Sequence, residues 1–239
     1  MCLKQIVNIS MLKKYLQSLT QLVYPNLCII CNECLVQGET CICHECLAGM
    51  PRTNYHRQPD NEMERRFWGK APIEAATAFY FFTKGSPYQH LLHALKYKDN
   101  KLIGEVLGRY AAADWLDSDR FRSFDMVVPV PLHPKKLALR GYNQSECIAK
   151  GIAQVLETDI DTQHLVRTQQ NTTQTRKTVY ERFTNTEGIF SVVDTEVFAN
   201  KHLLVVDDVM TTGSTLEACI QALTKCPGTK VSVFTLALA

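Results

Sequence analysis

The chain has 239 residues, of which 46% are hydrophobic and 21% charged, with a formal net charge of +2. That balance excludes a disordered or collagen-like chain and gives no global electrostatic drive toward nucleic acid. The length suits one substantial core with room for a small appended module.

Residues 12–23 (LKKYLQSLTQLV) set Leu12, Leu16, Leu19 and Val23 at helical spacing, which predicts an amphipathic helix packing on its own protein. Lys13 and Lys14 break the first apolar stretch, so neither a secretory leader nor a membrane insertion is expected, and the expected location is cytoplasmic. Pro25 stops the helix.

Six of the ten cysteines (Cys28, Cys31, Cys34, Cys41, Cys43 and Cys46) fall in one short segment, which argues for a metal site rather than a disulfide framework. Cys28-x2-Cys31 and Cys43-x2-Cys46 form two knuckles able to close a tetrahedral site, and Gly38 offers the turn between them. Cys34, Cys41 and His44 are spare donors, so spacing alone does not make the four ligands unique. Both outer pairs are C-x2-C, which favours them. Four protein ligands would leave no open position, the mark of a structural Zn²⁺.

Residues 51–73 contain a polar, proline-interrupted stretch and read as a linker. Beyond it the pattern alternates. A strand is expected near AATAFYFF, helices at 87–97 and 101–117, and a strand at 126–130. A helix at 143–157, a strand at 202–206, a helix at 213–225 and a closing strand KVSVFTLALA follow. Short apolar strands between amphipathic helices predict an α/β parallel sheet flanked by helices. The expected organisation is an N-terminal helix (1–24), a zinc module (25–50), the linker (51–73) and the α/β domain (74–239). Ligands in such sheets sit at the carboxyl ends of strands.

Residues 203–215 (LLVVDDVMTTGST) carry the strongest signal. A buried strand ends in two acids, and a hydroxyl-rich turn leads into a helix. Backbone N–H groups and the helix N-terminus there suit a phosphate, with Thr211, Thr212, Ser214 and Thr215 as donors and Gly213 allowing close approach. Asp207 and Asp208 would repel that phosphate, so they must serve other groups, and on a strand they face opposite ways. A phosphorylated ribose with a metal ion satisfies both demands. The stretch resembles the signature of type I phosphoribosyltransferases, which bind phosphoribosyl pyrophosphate (PRPP) with Mg²⁺. That resemblance implies that the acids contact the ribose hydroxyls and the turn holds the 5′-phosphate.

Residues 129–136 (PVPLHPKK) read as a turn at the end of the 126–130 strand, and RGYNQ follows. His133, Lys135, Lys136 and Arg140 lie where a pyrophosphate could dock. Residues 167–188 form a polar segment with the pattern of a lid, in which Arg176, Lys177 and Arg182 could reach the leaving pyrophosphate.

Together CIIC, CHEC, HALKY, PVPLHPKKLALRGYNQ, LVRTQQNTTQTRKTVYERFTNTEGIF and LLVVDDVMTTGST resemble, in order, the ComF family of competence-associated proteins. The resemblance implies a type I phosphoribosyltransferase-like domain behind a zinc module held by Cys28, Cys31, Cys43 and Cys46. It implies PRPP as ligand, with Asp207, Asp208, Arg176 and Lys177 nearest the chemistry and no acceptor named. The alternative it carries is a non-catalytic factor in DNA uptake, with single-stranded DNA or competence-machinery proteins as partners.

Overall fold

A computed structural model of the chain describes residues 25–97, 100–168 and 188–239. The expected helix at 12–23 and the lid cations Arg176, Lys177 and Arg182 lie outside the described residues. The chain divides into two compact units, residues 1–49 and 50–239.

In the first unit, Leu27 and Cys34 pair as an antiparallel bridge around a tight turn, with Asn32 at φ 62°. Gly38, at φ 97°, turns the chain back. A short helix α1 (His44–Ala48) then begins on Cys43, whose sulfur accepts the Cys46 N–H. Ile30, within the first knuckle, and Ile42, just before the second, are buried.

The second unit is built on a five-stranded sheet. Its strands are β1 (Ala75–Phe81), β2 (Met126–Pro129), β3 (Asp159–Ile160), β6 (His202–Met210) and β7 (Lys230–Leu238). Their order is β1-β7-β6-β2-β3, and every pairing is parallel. A separate antiparallel pair joins β4 (Leu165–Arg167) to β5 (Phe190–Val192). The remaining helices are α2 (Glu62–Arg65), α3 (Gln89–Tyr97), α4 (Lys101–Ala113), α5 (Pro134–Arg140), α6 (Gln144–Leu156) and α7 (Ser214–Leu223).

One sheet face packs Ala76, Ala78, Val128, Leu203, Val205, Val231 and Val233 against Leu216, Ile220 and Leu223 of α7. The alternate positions, including Leu204, Val206 and Phe234, are buried as well, and α4 and α6 pack on the sheet there. Both faces are thus covered, which is why the strands read as continuous apolar runs. Glycines let α4 and α6 approach closely. A Cβ on Gly151 would lie 2.1 Å from the Glu105 carbonyl oxygen, and one on Gly108 2.3 Å from that of Ile148.

Three sequence expectations are corrected. Residues 51–73 are not an open linker: they carry a 3₁₀ turn (Tyr55–Arg57) and α2, and insert Met63 and Phe67, both almost fully buried, into the α7-side core. Asn61 fixes them by donating to the Ala76 carbonyl at 2.9 Å, and Glu64 accepts from Ala76 N at 3.1 Å. The polar composition hid this because the polar groups are consumed in such bonds. Residues 134–140 form a helix rather than a turn, since Pro134 stands in its first turn, where a missing N–H costs nothing. β6 runs on to Met210, because Asp207, Val209 and Met210 still pair with Thr235, Ala237 and Leu238 of β7.

Candidate functional site

Chain direction across the sheet reverses between β2 and β6. From β2 the next strand, β3, lies outward on one side, and from β6 the next strand, β7, lies outward on the other. Adjacent strands whose connections diverge leave a crevice at their carboxyl ends. A cavity of about 230 Å³ occupies it, with Asp207, Asp208, Gln144 and Ser145 among its walls.

Two carboxylates there face four cations: Lys96 from α3, Lys136 and Arg140 from α5, and Arg167 from β4. The acids have different partners, as their alternation on a strand requires. Asp207 Oδ1 accepts the Ser145 hydroxyl at 2.9 Å and the Asp208 N–H at 2.9 Å. Asp208 pairs with the Lys96 ammonium at 2.9 Å. Burial, and then the neighbouring Asp208 charge, push the Asp207 carboxyl up to about 7, against the pull of its two hydrogen bonds and Lys96.

Of the residues singled out in the sequence, Asp207, Asp208, Thr215, Lys136 and Arg140 come together around this cavity. Thr211, Thr212, Gly213 and Ser214 form the adjoining turn outside its walls. Gly213 sits at φ 85°, and a Cβ there would meet Met210 Cε at 2.8 Å. The Arg66 guanidinium donates to the Thr211 carbonyl and, at 3.2 Å, to that of Ala239, tying the turn to the segment before β1. His133 and Lys135 are not among the walls. The His133 ring instead caps α5, its Nδ1 accepting the Lys135 N–H at 3.1 Å. Lys96, Gln144, Ser145 and Arg167 are site residues that sequence reasoning did not select. Lys96 and Gln144 sit inside the quoted HALKY and RGYNQ stretches, but only the tertiary fold brings them to the acids.

Among the described residues, the two outer cysteine pairs converge. The sulfurs of Cys28, Cys31, Cys43 and Cys46 all lie within 4.8 Å of one another. Those of Cys31 and Cys43 are 3.7 Å apart. Four thiolates about 2.3 Å from one Zn²⁺ would stand roughly 3.8 Å apart, so the set fits a tetrahedral ion. Burial would raise the Cys28 thiol, but N–H groups of Cys31, Cys43 and Ile30 outweigh it and bring it down to about 7. His44 is turned to Glu39 at 3.2 Å.

Residues 143–238 match the family model described as the phosphoribosyl transferase domain. The DNA utilization protein YhgH of Escherichia coli (strain K12) is 27% identical over 90% of this chain and 98% of its own length. Competence protein F of Haemophilus influenzae (strain ATCC 51907 / DSM 11121 / KW20 / Rd) is 27% identical over 64% of this chain and 69% of its own. The chain is thus similar to the ComF-type competence proteins over most of its length. Its fold is the type I phosphoribosyltransferase-like sheet, and its N-terminal unit carries the four-cysteine cluster. Among solved structures, a glutamine PRPP amidotransferase from B. subtilis superposes at a TM-score of 0.39 and 21% identity, over 55% of this chain and 25% of that one. A likeness so loose carries no weight. No described helix of this chain is long and apolar enough to cross a membrane.

Proposed function

We propose that this ComF-type protein binds PRPP in the crevice between β2 and β6 and transfers its phosphoribosyl group to an acceptor. The observation that carries the reading is the gathering of two carboxylates and four cations around one cavity at a topological switch point. A polyanion that also carries neighbouring hydroxyls uses both kinds of group, whereas a simple polyanion would be repelled by the acids.

In this reading Asp207 and Asp208 accept from the ribose hydroxyls. The 211–215 turn and the N-terminus of α7 take the 5′-phosphate, and Lys136 and Arg140 take the pyrophosphate. Arg176 and Lys177, assigned from the sequence, would close over the leaving group. The acceptor's lone pair forms the new bond to C1 of the ribose as the C1–O bond breaks, and that electron pair leaves on pyrophosphate. Mg²⁺ arriving with PRPP supplies neutralisation of the leaving group. The chain's own groups orient the ribose and keep positive charge fixed where negative charge develops. A second cavity of about 670 Å³, with Phe82, Leu92 and His93 among its walls, shares Lys96 and Val209 with the first, and we assign it to the acceptor. Zn²⁺ at Cys28, Cys31, Cys43 and Cys46 is structural, tying the two knuckles into one module.

Calorimetric titration of the zinc-loaded protein with PRPP and Mg²⁺ tests the reading. Saturable binding is expected, with loss in a variant carrying Asp207→Asn and Asp208→Asn. No binding by folded wild-type protein would overturn it. The names of the relatives favour a second reading, a cytoplasmic factor in DNA utilisation or competence that keeps the fold without turnover. A steep fall of single-stranded DNA affinity with salt, unaffected by PRPP, would favour that one.

A further inference from the structure

Gln144 is the first residue of α6, 2% exposed, and lies in the wall of the acidic cavity. Its carboxamide is held from one side only. The Arg140 guanidinium donates to Oε1 at 2.9 Å, and because arginine has no acceptor this contact fixes which end of the amide is oxygen. The other end, Nε2, is buried with no partner among the described residues. Buried amide donors are nearly always satisfied, and an orphan at a cavity wall calls for a ligand atom.

The surroundings specify that atom. Asn143 caps α6, its side chain accepting the Ser145 N–H at 3.1 Å and donating to the Val130 carbonyl at 3.0 Å. This pins the positive end of a thirteen-residue helix at the carboxyl end of β2. Ser145, the next residue, spends its hydroxyl on Asp207, so Gln144 is left as the free donor of this first turn. Lys136 and Arg140 line the same cavity from α5, an element other than the two acids' own strand. A donor amide, a helix N-terminus and two cations together select an anionic oxygen rather than a sugar hydroxyl.

We propose that Gln144 is a binding residue for the leaving group: its Nε2 donates to an oxygen of the pyrophosphate, with Arg140 holding the amide in register. The inference rests on the PRPP reading above and deepens it. It divides the cavity into a ribose half, read by Asp207 and Asp208, and a pyrophosphate half in which a neutral side chain works beside the cations. A neutral donor there keeps the site from binding pyrophosphate so tightly that the product cannot leave.

The test uses the full zinc-loaded chain with Mg²⁺ and three probes: PRPP, inorganic pyrophosphate and ribose 5-phosphate. Gln144→Glu retains the shape and a partner for Arg140 but replaces the donor by an anion. Gln144→Met removes the donor with no new charge. Both should weaken PRPP and pyrophosphate by about tenfold or more, Glu more than Met, since a hydrogen bond to a charged acceptor is lost. Ribose 5-phosphate affinity should stay within about twofold. Equal losses on all three probes, or unchanged pyrophosphate affinity in both variants, would overturn the assignment while leaving PRPP binding by the wild type intact. Wild-type protein that binds neither PRPP nor pyrophosphate would instead overturn the underlying reading, and this inference with it.

Discussion

Asp207 shows how a functional group is held at the expense of the empty protein. Its carboxyl is pushed up to about 7, well above the value of about 4 it would have in an unfolded chain. Between those values the folded state holds more protons than the unfolded one, so this group lowers stability as pH rises from about 4 to 7. Asp207→Asn should therefore raise the melting temperature of the ligand-free protein by several degrees at pH 8 and change it little at pH 4. Both existing hydrogen bonds go to Oδ1, which an asparagine retains. An equal or lower melting temperature at pH 8 would mean that the carboxylate is compensated by Lys96 after all. The same residue should make PRPP affinity rise with pH through about 7, because only the ionised form accepts from both the protein and a ribose hydroxyl. The cysteine assignment is also a residue-scale matter. Cys43→Ser should abolish the single equivalent of bound zinc, while Cys34→Ser, with an exposed side chain outside the cluster, should retain it. Metal content by atomic absorption distinguishes the two.

At the scale of elements, apolar runs are a better guide than polar ones. β1, β2, β6 and β7 lie where runs of alanine, valine, leucine and phenylalanine place them, since strands buried on both faces have no polar interruption. The short pair β4–β5 and the two-residue β3 carry too few residues to show any period. The 51–73 segment misleads because Asn61 and Glu64 are polar for the sake of buried hydrogen bonds to β1, a partnership invisible along the chain. The acidic strand and its turn are legible because the chemistry lies in consecutive residues. Lys96 and Gln144 are not, because their roles come from helices that meet β6 only in the fold. The α4–α6 contact is equally silent in sequence, though its glycines are strict requirements. Gly151→Ala should destabilise by about 1–3 kcal/mol or more, because the methyl group meets backbone rather than a movable side chain. Urea denaturation measures this, and an unchanged midpoint would show that the helices can separate without cost.

For the whole molecule, the near-neutral charge and the concentrated charge at one crevice belong together. A net +2 gives the surface little general pull on polyanions, while four cations and two acids are gathered in one small region at the switch point. The strand order positions them: β2 brings α5 and α6, β6 brings the acids and the 211–215 turn, and α3 reaches over with Lys96. The segment before β1 steadies the arrangement through Arg66, which holds the turn's backbone. The most direct measurement is a crystal structure of the zinc-loaded protein with PRPP and Mg²⁺. The account predicts the ribose hydroxyls against Asp207 and Asp208, the 5′-phosphate in the 211–215 turn and the pyrophosphate beside Lys136, Arg140 and Gln144. PRPP bound elsewhere, or a crevice left empty at saturating ligand, would contradict it.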